Sequence, residues 1–134
     1  VKFVFVMEKT HVACGIMVNN NGHVLMGRRS DRGSYPGIWE FPGGKQEEGE
    51  TIEECLKREW KEELNLDIHI CFELCTTEYS SIVCHFIVGK IEDMGSMQIN
   101  VHECVGFYEL DDIYDLQLFD GDEKIVDMLK YVTR

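Results

Sequence analysis

The stretch "GGKQEEGETIEECLKREWKEELNL", Gly43 to Leu66, decides how this chain is read. Thr51-x-x-Glu54 has the form of a capping box, so a helix starts near Thr51. Asn65, a residue that accepts the left-handed conformation, ends it. At 100° per residue, Ile52, Cys55 and Leu56 fall at about 160°, 100° and 200° and define one apolar stripe. Glu59, Glu62 and Glu63 fall at about 140°, 80° and 180°, on the same stripe one to two turns later. The exposed side belongs to Glu53, Glu54, Lys57 and Lys61. Eight of the 25 acidic residues lie between Glu47 and Glu63. Acid packed so tightly is either a solvated run or a cation site, and a position beside the core sets Glu59, Glu62 and Glu63 apart from Glu47, Glu48, Glu53 and Glu54.

Outward from this helix, "HVACGIMVNNNGHVLMGRRS" (11–30) gives two apolar runs around Asn19-Asn20-Asn21-Gly22. That is a hairpin signal, because Asn and Gly tolerate positive φ. A loop with Gly33, Pro36 and Gly37 leads to a short strand, "IWEF" (38–41), and Pro42-Gly43-Gly44 reads as a sharp break. After the helix come strands in "DIHICFELCTTEY" (67–79), "SIVCHFIVGKIED" (81–93) and "CVGFYEL" (104–110). "DEKIVDMLKYV" (122–132) carries a helical apolar stripe, and "VKFVFVM" (1–7) reads as an extra strand. The order is β-β-β-α-β-β-β-α, without repeats or linkers, which makes residues 1–134 a single α/β domain.

A chain of 134 residues buries a core without staples. Its net charge of −12 argues against a groove that tracks nucleic acid and against adsorption to anionic membranes. No stretch approaches the ~18 apolar residues of a membrane span, and the N-terminal segment is too short for a secretion signal. The chain begins at Val1 rather than Met, which leaves a missing or altered N-terminus open. Six cysteines without a C-x-x-C pair read as buried reduced thiols of a cytoplasmic protein. The five histidines show no metal spacing, and only His102, beside Glu103, stands out. No activated Ser or Cys nucleophile is signalled.

The segment from Gly44 to Leu66 resembles the Nudix box, G-x5-E-x7-R-E-U-x-E-E-x-G-U, with U a bulky apolar residue. Gly44, Glu50, Arg58, Glu59, Trp60, Glu62, Glu63 and Leu66 fill eight of its nine defined positions, and Asn65 stands where the family usually has Gly. The resemblance implies a Nudix-type α/β/α sandwich with a central mixed sheet. Its loop–helix–loop binds Mg²⁺, or Mn²⁺, which bridges a diphosphate. Physical chemistry supports this independently. Hard cations take oxygen ligands and share them with phosphates, carboxylates at i, i+3 and i+4 converge on one face, and without a cation they raise one another's pKa values. The resemblance makes Glu59, Glu62 and Glu63 metal ligands, with the Gly43 carbonyl as a further one. Arg58 holds the glutamates by ion pairing, a task that suits its fork, Glu50 orients the box through it, and Lys45 approaches phosphate.

Outside the box, "VLMGRRS" and "GIWEFPGGK" resemble the MutT-like branch, which includes 8-oxo-dGTP diphosphatases and (d)CTP pyrophosphohydrolases. That branch makes Arg29 a substrate contact, against the reading of a surface arginine. Glu40 and Phe41 line the base pocket, although Trp39 and Phe41 read equally as core. Glu103 completes the metal site or serves as base, and Asp122 recognises the base or caps the last helix. The implied reaction is metal-dependent hydrolysis of an oxidised or modified dNTP, or of (d)CTP, to the monophosphate and pyrophosphate, with Glu62 or Glu103 taking the water's proton. The alternatives are a nucleotide sugar or dinucleoside polyphosphate as substrate, or a ligand-sensing domain without turnover. A nucleotide is the expected partner of a monomer or homodimer, with no nucleic acid and no membrane.

Overall fold

Both edges of strand β1 (Thr10–Val18) are used, and the sheet is built outward from it. Along one edge it runs parallel to β6 (Ile82–Ile91), from Thr10 opposite Ile82 to Val18 opposite Lys90. On the other it meets β2 (Val24–Arg28) at Val18 opposite Val24, and β4 (Gly43–Lys45) from Val12 to Cys14, both antiparallel. β2 carries β3 (Trp39–Glu40) and β7 (Cys104–Tyr108), while β5 (Ile68–Tyr79) pairs with β6 through two register shifts. The structure, a computed structural model, describes residues 8–133, so the strand expected over Val1–Met7 lies outside the described residues.

Alternation along the strands sends side chains to two faces, and each face has its own core. Ala13, Met17, Leu25 and Ile87 pack against helix α1 (Ile52–Leu64) through Cys55, Leu56, Trp60 and Leu64. Ile16, Val24, Met26 and Phe86 pack against helix α3 (Asp122–Val132) through Ile125, Val126 and Leu129, and against Ile113 of the short helix α2 (Leu110–Ile113). The result is the α/β/α sandwich with a mixed sheet. Two elements go beyond the order read from sequence. Pro42-Gly43-Gly44 leads into strand β4 instead of a bare break, because pairing with β1 satisfies its backbone, and α2 follows β7.

Helix α1 begins and ends where its caps require. Glu54 N donates to Thr51 Oγ1 at 3.1 Å and Thr51 N to Glu54 Oε1 at 3.0 Å, and Asn65 closes the helix at φ 53°. Its core-facing stripe runs through Leu56, Trp60 and Leu64 (i, i+4, i+8), so Glu59 and Glu63 sit at its margin and Glu62 is exposed. The last carbonyls of α1 are taken up by the segment after β6: Asn100 Nδ2 donates to Glu62 O, Asn100 N to Glu63 O and Gln98 N to Leu64 O, at 2.9, 3.0 and 2.9 Å.

Trp60 is fully buried, and its indole Nε1 donates to Pro42 O at 2.8 Å, joining α1 to the entry of β4. Trp60→Ala should cost about 3–5 kcal/mol by leaving a cavity. Trp60→Phe, which keeps most of the volume and loses the hydrogen bond, should cost about 1–3 kcal/mol. Urea denaturation of both variants checks the order.

Candidate active site

Between β1, β3, β4, the loop after β2 and the last turn of α1, a cleft of about 430 Å³ opens, with Arg29, Glu40, Gly44, Lys45, Glu63 and His102 among its lining. The box is organised by Arg58. Its Nε and Nη2 donate to the two oxygens of Glu50 at 3.0 and 2.7 Å, the fork geometry in which arginine binds carboxylate best. Nη1 reaches Glu59 Oε1 at 2.9 Å and Glu62 Oε2 at 3.2 Å, and Nη2 also donates to Lys45 O at 3.1 Å. Arg58 and backbone bonding hold the Glu50 carboxyl down to about 2.

The three glutamates differ by environment. Glu59 lies on Gly44 so closely that a Cβ there would meet its carboxyl carbon, and burial raises its pKa while Arg58 opposes the shift. Glu62 is exposed. Glu63 faces the cleft, its Oε2 buried without a partner. Burial first, then the charges of Glu59 and Glu40, push its carboxyl up to about 8. Among the described residues these side chains do not close around one point, and Glu59 and Glu62 share Arg58 Nη1 as their partner.

Arg29 lines the cleft and is held firmly. Its Nε and Nη2 donate to Ser34 O and Ser34 Oγ, and its Nη1 to Glu40 Oε1, each at 2.8 Å. Lys45 is exposed at the rim, on the same strand as Gly43. Phe41 is both core and wall: it is 4% exposed, meets Phe86 edge-on and borders the cleft.

Arg58, Glu59 and Glu62 of the box stand outside the cleft lining, and so do Glu103 and Asp122. Glu103 turns its side chain to solvent while its N–H donates to Arg28 O at 2.9 Å. The neighbouring His102, in the bend that precedes β7, takes the inward place. Asp122 is half-buried behind the cleft, near Cys84 and Glu40. It does not cap α3, since Gly121 holds the N-cap position and no side chain bonds there. Burial, and next the Cys84 sulfur, push its carboxyl up to about 7. Ser34, His102 and Cys14, whose thiol hydrogen-bonds to that of Cys84, also line the cleft. Of these, only His102 carries a signal in the sequence, its place beside Glu103.

The NUDIX domain model matches residues 9–129, and the chain belongs to that family. It is 38% identical over 72 residues to an 8-oxo-dGTP diphosphatase of Proteus vulgaris, a match that covers 54% of this chain and 64% of the relative. With nucleoside triphosphatase NudI of Enterobacter sp. strain 638 it shares 44% over 64 residues, 48% of this chain and 45% of the relative. The matched stretch thus spans less than two thirds of either relative. The fold superposes on the crystal structure of a MutT protein from Methanosarcina mazei Go1 with a TM-score of 0.80 at 18% identity, covering 98% of this chain and 99% of that one. Among the described residues no helix is long and apolar enough to cross a membrane.

Two pH windows follow from these environments. The folded-state value of Glu50, about 2, lies below its ordinary 4.5, so the stabilisation from its pairing is complete above 4.5 and is lost as pH falls toward 2. The stability difference between wild type and Glu50→Gln should shrink over that window in urea denaturation. Asp122 has the opposite sign: about 7 folded against 3.8 ordinarily means that its ionisation destabilises the fold as pH rises between those values. Asp122→Asn should therefore gain stability relative to wild type as pH rises from 3.8 to 7, and urea denaturation should show the difference constant below 3.8.

Proposed function

We propose that this protein hydrolyses a nucleoside triphosphate, an oxidised or modified dNTP or (d)CTP, to the monophosphate and pyrophosphate, with Mg²⁺ or Mn²⁺ as cofactor. The observation that carries the reading is the Glu63 carboxylate, buried at the cleft with one oxygen unpartnered. A buried carboxylate in that state needs a proton or a cation. The donor set fits a hard divalent ion: oxygens only, from Glu59, Glu62 and Glu63, with the Gly43 carbonyl on the adjoining strand. When bound, such a cation neutralises phosphate charge and lowers the pKa of a coordinated water.

The remaining work falls to the chain's own residues. Arg29 and Lys45 draw the polyphosphate into an otherwise acidic surface and fix its orientation. Arg58 keeps Glu59 and Glu62 in place against their mutual repulsion. Glu62, exposed on the helix and near the other carboxylates, is the group we assign to receive the proton as water attacks the β-phosphorus. Phe41 offers an apolar wall to the base, and Asp122 contributes to base choice from behind it. The names of the Proteus and Enterobacter relatives, a diphosphatase of 8-oxo-dGTP and a nucleoside triphosphatase, support a triphosphate substrate.

The test is pyrophosphate release from a panel of canonical and modified NTPs and dNTPs, with Mg²⁺ and with EDTA. Metal-dependent release from one or a few members is expected. Silence across the panel overturns the triphosphate reading and moves the assay to nucleotide sugars and dinucleoside polyphosphates. Glu63→Gln should lower kcat on the order of a hundredfold or more while its circular dichroism matches wild type.

A further inference from the structure

His102 has no part in the reaction as described, yet it is one of the most constrained polar residues in the fold. Its side chain is 1% exposed, and its Nε2 lies 2.9 Å from Glu40 Oε2. A carboxylate accepts hydrogen bonds, so Nε2 donates. Nδ1 is buried without any partner, a penalty that an apolar side chain filling the same space would not incur.

The position of the ring is prepared by the strand beneath it. Gly27 pairs with Glu40 of β3 on one edge of β2 and with Val105 of β7 on the other. A Cβ on Gly27 would lie 2.5 Å from His102 Cδ2 and 2.7 Å from Nε2. The imidazole therefore crosses β2 over its glycine, from the β7 side, to reach a residue of β3. Glu40 relays the contact: Oε2 accepts from His102, and Oε1 accepts from Arg29 Nη1. Ser34 holds Arg29 from its other side. Three of the five guanidinium N–H groups are thereby engaged, and two, one on each Nη, remain for an anionic ligand.

We infer that His102 is a positioning residue which, through Glu40, fixes the orientation in which Arg29 meets the phosphates of the substrate. The inference rests on the nucleotide-hydrolase reading of the cleft. An arginine aligned before substrate arrives acts on ground-state binding, so the loss of His102 raises KM and leaves kcat nearly unchanged.

The experiment compares steady-state kinetics, with Mg²⁺ and a triphosphate that wild type hydrolyses, for His102→Ala, His102→Gln, Arg29→Ala and the Arg29→Ala/His102→Ala pair. His102→Ala should raise KM roughly tenfold with kcat within about threefold of wild type. His102→Gln, whose amide N–H stands in for Nε2–H, should bring KM back to within about threefold. The double variant should be no worse than Arg29→Ala alone, since the two residues then act as one unit. A fall in kcat at unchanged KM, a Gln variant no better than Ala, or losses that multiply in the pair would each overturn the inference. If wild type hydrolyses nothing in the panel, the functional reading has failed separately, and NMR of the ligand-free protein tests the clamp. A slowly exchanging His102 Nε2–H signal that moves in both Glu40→Gln and Arg29→Ala upholds it. A signal that is absent, or indifferent to either change, overturns it. The glutamine variants also serve where His102→Ala does not fold.

Discussion

Arg58 grips Glu50 with Nε and Nη2 and turns Nη1 toward Glu59 and Glu62, and the order of the whole acidic helix depends on that one fork. Glu59 is half-buried, and Glu47 and Glu62 add negative charge around it. Within a medium of low effective dielectric such neighbours would force protonation or local unfolding. A cation supplied by the chain itself removes that choice for Glu59 and leaves it unresolved for Glu63, whose buried Oε2 has no partner. The arginine thus sorts the carboxylates into a held pair and an open one. The open one faces the cleft.

The same economy of space recurs on the strands. Gly44 lets the carboxyl of Glu59 lie against β4, and Gly27 lets the ring of His102 cross β2. In both places a side chain carrying polar atoms is brought flat against backbone, where a methyl group would displace it. Polar side chains in and beside this cleft are positioned by closeness to main chain as much as by their own partners. Trp60 does the corresponding work for the helix, tying α1 to Pro42 at the start of β4, so that Gly44 and Glu59 stay in register.

What could be read in the sequence was local. Both ends of α1 follow from residues within four positions of the caps, and the spacing of Gly44, Glu50, Arg58, Glu59, Glu62 and Glu63 contains the Glu50–Arg58 pair almost in full. The apolar stripe was misplaced because Ile52, Cys55 and Leu56 sample only its first turns. Trp60 and Leu64 carry it round, leaving Glu62 to solvent. Strand β4 could not be read from Pro42-Gly43-Gly44, since its cause is a partner some thirty residues away on β1. Likewise, that His102 rather than Glu103 faces the cleft is set by the bend over residues 101–103, whose course no neighbouring pattern in the sequence fixes. Ser34 belongs to a loop, where sequence gives composition and geometry gives the contact.

The parallel pairing of β1 with β6 has a consequence for how the molecule is assembled. Thr10 and Ile82 meet at one end of that ladder and Val18 and Lys90 at the other, so the partners are separated by about 70 residues of chain. During synthesis or refolding, β1 can find β2, β4 and α1 among the first half of the sequence, while its second edge waits for a strand that arrives late. Contacts of such long sequence separation form slowly, because loop closure precedes any gain from the ladder. Until then the central strand of the mature sheet is an edge strand, with a row of unpaired N–H and C=O groups open to another chain.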